Sequence, residues 1–411
     1  MKSNWIFKIL LLLSSSLLLL TAVILILINF YNISLVFYDP GHTITLQSPS
    51  QELPNYPFMP DAEVKNIILF IADGMGISHL AATRLHYFGP DGKLHIERMP
   101  VTGFVNTHTI DDLITDSAAS ATALATGVKT KSKRISMDAD DVSRMTILEA
   151  ARDAGLWTGL VTSTELTDAT PAAFASHVRT RKSHDEIALQ LIDSKVNVLL
   201  GEGSYFFPQT HAASKRDDDI DVVAQAKNAG YMFVDNETEL KNTSADYLLG
   251  LFSNITRDRY EVQLETATST PSLAELTQKA IALLSRRENG FFLMVEEEGA
   301  DSGSHVNRAD YILHYLKQFD DAVKMGLDFA MQDRQTLVIV TADHETGGLN
   351  IVKGSRKSKH MEFTWVTDDH TAQPVPLFAF GPQAMRFTGL KDNTDLPKIM
   401  AELLRLHAFP R

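Results

Sequence analysis

The chain has 411 residues, with 44% hydrophobic and 22% charged side chains, which is a globular composition long enough for one large domain or two ordinary ones. A net charge of −13 argues against nucleic acid as a partner, although an acidic protein still handles anions where metal ions invert the local field. Without cysteine the chain has no disulfide, no thiolate nucleophile and no thiolate metal ligand, so any metal must take oxygen and imidazole donors.

Lys2 and Lys8 precede an uncharged apolar run over residues 9–30. At the helical rise this run covers about 33 Å, enough to cross a bilayer. It ends without the small-residue pattern of a cleavage site. Residues 1–30 are therefore expected to be an uncleaved single-pass membrane anchor with its basic end in the cytoplasm. That places the body on the periplasmic or extracellular side. Residues 31–62 read as a tether, and 63–411 as one catalytic domain.

The run over 64–72 is continuously apolar, as a strand buried on both faces should be. A short strand is expected over 102–107, a helix over 117–126 ended by Gly127, a helix over 145–154 and a strand over 157–162. Another strand is expected over 197–200. The stretch 203–270 is the least regular and is expected to be an insertion, with one helix near 221–229. Further on come an amphipathic helix over 273–287, a strand over 290–295, a long helix over 308–331, strands over 337–341 and 375–380, and a terminal helix over 395–407. Alternation of this kind predicts an α/β fold: a three-layer sandwich with a mostly parallel central sheet and helices on both faces.

In such sheets ligands gather at the carboxyl ends of the strands. The acidic segments fall there. Asp73-Gly74-Met75-Gly76 follows the first run, and a segment containing Asp168 and Thr170 follows the strand near 157–162. Glu296-Glu297-Glu298 leads on to Asp301 and His305, and Asp343-His344 ends the strand near 337–341. His370 precedes the run over 375–380. If these ends converge, Asp73, Asp116, Glu296, Asp301 and Asp343 crowd one cleft, and divalent cations resolve the repulsion. Asp301 and His305 share a face if their segment is helical. Asp116-Ser117 opens an Ala-rich helix, where free N–H groups and the positive end of the dipole suit an anion.

These blocks resemble the alkaline phosphatase family. Asp73-Gly74-Met75-Gly76, Asp116-Ser117-Ala118-Ala119-Ser120-Ala121-Thr122, Asp168-Ala169-Thr170-Pro171, Thr341-Ala342-Asp343-His344-Glu345-Thr346-Gly347-Gly348 and His370-Thr371-Ala372 occur in the family's order across about residues 64–382. The resemblance implies a parallel α/β sandwich holding two Zn2+ and one Mg2+, and hydrolysis of phosphate monoesters through a phosphoserine. It implies Ser117 as nucleophile, with Ser120 in a packing role. Asp301, His305 and His370 would hold one zinc. Asp73, Asp343 and His344 would hold the other. Asp73, Asp168, Thr170 and Glu296 would hold magnesium, Glu296 being chosen because it lies five residues before Asp301, as in the family. Arg181 would clamp two phosphate oxygens, with Arg179 its local rival.

Ser302 departs from the family, whose members commonly carry Lys, His or Trp there; a hydroxyl supplies no cation. The segment between His344 and His370 is too short for an extended crown subdomain. The same superfamily includes phosphodiesterases, sulfatases, phosphonoacetate hydrolases and phosphoglycerate mutases. The Asp-Ser context and Arg181 favour monoesters over diesters. The non-enzymatic alternative is a membrane-anchored inactive relative that binds phosphate or metal, and the full ligand set with its nucleophile argues against it. Relatives include homodimers and monomers, and no segment here decides between them.

Overall fold

The computed structural model describes residues 43–45, 56–203, 205–207, 214–218, 220–252, 270–357 and 359–410. The expected anchor over 1–30 and most of the tether lie outside these residues. Among the described residues, no helix is long and apolar enough to cross a membrane.

Ten strands form the central sheet: β1 (Asn66–Ala72), β2 (Val101–Asn106), β3 (Trp157–Glu165), β4 (Val198–Glu202), β5 (Met232–Val234), β6 (Leu248–Leu251), β7 (Phe291–Glu297), β8 (Thr336–Thr341), β9 (Val375–Phe380) and β10 (Gly389–Asp392), in the spatial order β10-β2-β9-β8-β1-β7-β3-β4-β6-β5. The pairs are parallel except where β9 runs against β2 and β8. Every residue of β1, β7, β8 and β9 is buried, which is why β1, β8, β9 and the first five residues of β7 read as largely apolar runs. Helices cover the sheet in two groups. The long helix α10 (Ala309–Asp333) packs with α8 (Leu273–Leu284) and α1 (Ile77–Phe88). The other group contains α2 (Ser117–Thr126), α3 (Ile147–Asp153), α4 (Ala169–Ala175) and α11 (Asp395–Leu403).

The central neighbours β8, β1, β7 and β3 carry the acidic segments. Ile71 is in register with both Thr341 and Glu296, and Thr162 with Glu296. Four carboxyl ends therefore finish side by side, with Glu296 at the end of β7 and Asp343, Asp73 and Asp168 just after β8, β1 and β3. A two-stranded pairing of Glu345–Thr346 with His370–Thr371 sets His370 opposite Thr346.

Several expectations are corrected. The stretch 203–270 is more regular than expected where it is described: α6 (Val222–Asn228) and α7 (Glu237–Asn242) alternate with β5 and β6, and these two strands extend the main sheet beyond β4. β3 and β7 run past their expected ends at 162 and 295, so Glu296 and Glu297 are strand residues. Besides α7, three helices were not anticipated. α1 starts on Gly76 without a side-chain cap, α4 tolerates Pro171 because the first-turn N–H groups have no intrahelical partner, and α5 (His184–Asp193) is short. A separate antiparallel sheet joins Thr43–Thr45, His360–Thr364 and Asn350–Ser355, so the segment between His344 and His370 carries a hairpin.

Candidate active site

Ser117 opens α2. Asp116 caps that helix: its Oδ1 accepts from the Ala119 amide at 3.0 Å, and its Oδ2 accepts from the Lys133 amide at 2.8 Å. The cap holds the first turn with both carboxylate oxygens used. All of α2 is buried, and its Ala, Ser and Thr side chains let it pack closely on α4. Ser120 does more than pack: its hydroxyl donates to the Asp343 carbonyl at 2.6 Å and accepts from Asn393 Nδ2 at 3.0 Å. The helix that presents Ser117 is thus pinned to the loop that presents His344. Ser117 Oγ lies 3.2 Å from His344 Nε2.

Two carboxylate–imidazole clusters flank this point. In the first, Asp301, His305 and His370 bring their ligand atoms within 4.8 Å of one another. Asp301 and His305 lie on α9 (Gly299–His305), one turn apart as the i, i+4 spacing requires. His305 Nδ1 donates to the Asp368 carbonyl at 2.6 Å and His370 Nδ1 to the Thr115 carbonyl at 2.7 Å. Both Nε2 lone pairs then face each other at 3.2 Å, with Asp301 oxygens 3.2 and 3.6 Å away. Two bare imidazole nitrogens and a carboxylate at such distances need a cation or a proton between them. Without a cation a proton serves, and the Asp301 carboxylate pushes the His305 ring up to about 9.

The second cluster is Asp73, Asp343 and His344, all buried. Thr346 donates its single hydroxyl proton to Asp301 Oδ1 at 2.5 Å, so at 3.1 Å it can only accept from His344 Nδ1. Burial holds the His344 ring neutral, well below its ordinary value. Its Nε2 is therefore an unprotonated donor atom, aimed at Asp73 Oδ1 (3.4 Å) and Asp343 Oδ2 (3.3 Å). Neither oxygen has a hydrogen-bond partner. A buried set of lone pairs without hydrogens fits a divalent cation, and its oxygen–imidazole chemistry suits zinc. The same Thr346 hydroxyl joins the two clusters, and the His344 and His370 rings stack at 3.6 Å. The Ser117–His344 contact is no serine–histidine dyad, since the far nitrogen of His344 meets Thr346 rather than a carboxylate.

The third group of closely placed carboxylates is Asp73, Glu296 and Glu298. Thr162 donates to Glu296 Oε2 at 2.6 Å. Burial, then the charge of Glu298, holds Glu296 well above the carboxylate range. Burial and the neighbouring Asp343 do the same to Asp73. Thr170 is buried with its hydroxyl directed at Glu296, and its oxygen receives no hydrogen bond. Asp168 stands slightly apart: its Oδ1 accepts from Arg181 Nη2 at 2.5 Å and from the Ala169 amide at 2.7 Å. Arg181 is the arginine at the cleft. The side chain of Arg179 is 73% exposed and reaches only Asp141. Glu298 was not anticipated. The available signal was the two-residue period of a strand, which puts Glu296 and Glu298 on one face and Glu297 on the other.

The statistical description of the alkaline phosphatase family matches residues 64–357 and 351–406. Among curated proteins, the chain is 34% identical to the alkaline phosphatase of Escherichia coli K12, covering 84% of this chain and 87% of that protein. It is 32% identical to alkaline phosphatase 4 of Bacillus subtilis 168, covering 84% and 89%. The chain belongs to the alkaline phosphatase family. Among solved structures, the alkaline phosphatase of the Antarctic bacterium TAB5 superposes with a TM-score of 0.73 at 30% identity, over 84% of this chain and 99% of that one. As a member of this family the chain is a metal-dependent phosphatase, a hydrolase of phosphate monoesters.

In this alkaline phosphatase the turn after β1 is sterically bound to α9. Gly74 has φ +74, and a Cβ there would lie 2.7 Å from Asp301 Cα. Gly74→Ala should therefore displace Asp301 and lower stability by about 1–3 kcal/mol. Thermal melting beside zinc stoichiometry checks this; an unchanged midpoint with full zinc content would show that the turn yields freely.

Proposed function

We propose that hydrolysis proceeds through a phosphoserine at Ser117, with zinc held by Asp301, His305 and His370 and by Asp73, Asp343 and His344, and magnesium held near Asp73, Asp168, Thr170 and Glu296. The observation that carries this reading is the position of Ser117 Oγ, at a helix N-terminus between two clusters that each bring carboxylate oxygens and imidazole nitrogens together. Support for magnesium comes from a variant of the TAB5 enzyme solved with magnesium in the site called M3.

Bound divalent cations supply positive charge that lowers the pKa of the attacking hydroxyl and stabilises the leaving oxygen. The remaining steps belong to the chain. Ser117 Oγ forms a bond to phosphorus in line with the ester oxygen, the P–O bond to the alcohol breaks, and the alcohol leaves with a proton. Water then attacks the phosphoserine from the vacated side, the P–Oγ bond breaks, and phosphate and the serine hydroxyl are restored. Arg181, oriented by Asp168, holds two equatorial oxygens with its planar fork. Acid quenching during turnover of p-nitrophenyl phosphate, followed by peptide mass spectrometry, should find phosphate on Ser117. Turnover without a labelled serine would favour direct attack by water.

We also propose that residues 9–30 hold the protein in a membrane with the phosphatase on its outer side, a reading supported by Lys2 and Lys8 before the apolar run. Alkaline carbonate extraction of membranes should leave the full chain in the pellet; release into the supernatant would overturn it.

A further inference from the structure

Glu298 stands at the junction of β7 and α9. Its amide donates to Ser163 Oγ at 3.0 Å and its carbonyl accepts from the Ser302 amide at 3.3 Å, so its backbone is held on both sides. Its neighbour Glu297 turns the other way, taking Ser163 Oγ and the Gly299 amide at 2.9 Å each. Glu298 is left on the Glu296 side, 5% exposed, with a carboxylate oxygen within 4.8 Å of oxygens of Asp73 and Glu296. Ser302 donates its hydroxyl to Glu298 Oε1 at 3.0 Å. That bond orients the carboxylate.

The charges around this point do not balance. Asp73, Glu296 and Glu298 converge with Asp168 nearby, and Arg181 is a cation on which Asp168, Glu298 and Asp73 all act. An acidic cluster alone does not make a site. Here Thr170 provides a second observation, since its hydroxyl, at 1% exposure, is directed at Glu296 and its oxygen receives no hydrogen bond. A buried hydroxyl oxygen that receives no proton, beside one member of a three-carboxylate group, is the environment of a hard cation with oxygen ligands.

We propose that Glu298 is a ligand of the third cation, beside Asp73, Glu296 and Thr170, and that Ser302 serves to orient it. This rests on the three-cation reading above and deepens it. The site then carries one carboxylate more than the family resemblance implies. Its all-oxygen donor set selects magnesium or manganese over zinc. Ser302 acquires a role as well, holding the added carboxylate instead of supplying a cation to the phosphate.

The test is a magnesium titration by calorimetry into full-length, detergent-solubilised protein already loaded with zinc, with metal stoichiometry read by mass spectrometry. Glu298→Gln should raise the magnesium dissociation constant at least about tenfold and leave zinc stoichiometry unchanged. Ser302→Ala, which keeps the carboxylate, should shift it less. An unchanged constant for Glu298→Gln, alongside a weakened one for Glu296→Gln, would overturn the role of Glu298 and leave the third cation standing. No magnesium binding by the unaltered protein would instead remove the third cation itself. Should Glu298→Gln lack a cooperative melt, Glu298→Asp takes its place, with a shift of at least threefold expected and no shift overturning the proposal.

Discussion

Replacing Ser117 by alanine is expected to lower turnover of p-nitrophenyl phosphate at least about a thousandfold, about 4 kcal/mol in the barrier. The loss should be confined to chemistry. The cap of α2 is the Asp116 side chain, not Ser117, and both its oxygens stay engaged. The clusters that flank Ser117 are tied to each other through Thr346 and to α2 through Ser120, so neither depends on the deleted hydroxyl. Alanine also suits a helix already rich in it. The variant should therefore keep its metal content and its melting temperature while losing the acid-stable phosphoserine. Arg181 and the bound cations still stabilise a transferring phosphoryl, so slow attack by water leaves a measurable residue of activity. Retention of a tenth of the activity, with normal metal content, would assign the nucleophile to something other than Ser117.

Stripping the metals should reverse the ordinary dependence of stability on pH. Buried carboxyls raised above their unfolded values favour the protonated form in the folded chain. Asp73 and Glu296 are raised well above theirs by burial and by neighbouring carboxylates, Asp343 is pushed to about 6 and Glu297 to about 8 by burial. His305 is held up at about 9 by Asp301. In each case the folded state binds more protons than the unfolded state, so stability falls as pH rises toward the folded pKa. Buried His79, at about 4, and His344, well below 6.5, act in the opposite sense only below the unfolded imidazole value of about 6.5. Between pH 6.5 and 9 the stripped protein should thus lose stability with rising pH. Bound cations take the place of the protons on Asp73, Asp343, Glu296 and His305 and remove most of the dependence, Glu297 lying outside the cation sites. Thermal melts of chelated and reloaded protein at pH 6.5, 7.5 and 9 should show a gap that widens with pH, reaching about 10 °C or more. A chelated protein whose melting temperature climbs over this range would contradict the assignment of these carboxyls to cation sites.

Legibility in the sequence followed burial. Strands covered on both faces appear as unbroken apolar runs, so β1, β8 and β9 could be found to within two residues. The helix α2 was found end to end because Asp116 and Gly127 mark it chemically. Elements without such marks were missed. α1 has no side-chain cap, and Asn350–Ser355 is largely exposed and shows no clean period, although its partner His360–Thr364 alternates between half-buried and buried residues. The same limit hid β5 and β6, which are three and four residues long.

Within the site the division is sharper. Ser117, Arg181 and the nine candidate ligands could be named because their blocks resemble those of the alkaline phosphatase family, and their oxygen and imidazole donors at strand ends are of the type such an enzyme needs. Spacing along the chain also foretold that Asp301 and His305 share one helical face. What depends on contact between distant segments could not be foretold. The pairing of Thr346 with His370, the Thr346 hydroxyl shared by Asp301 and His344, and the Ser120 anchor on Asp343 each join residues tens or hundreds of positions apart. Three consecutive glutamates look alike in sequence. The tertiary structure separates them, because the pleat of β7 turns Glu297 toward Ser163 and leaves Glu296 and Glu298 facing Asp73. Covalent order determined which donors this protein owns; the register of β8, β1, β7 and β3 decided which of them meet.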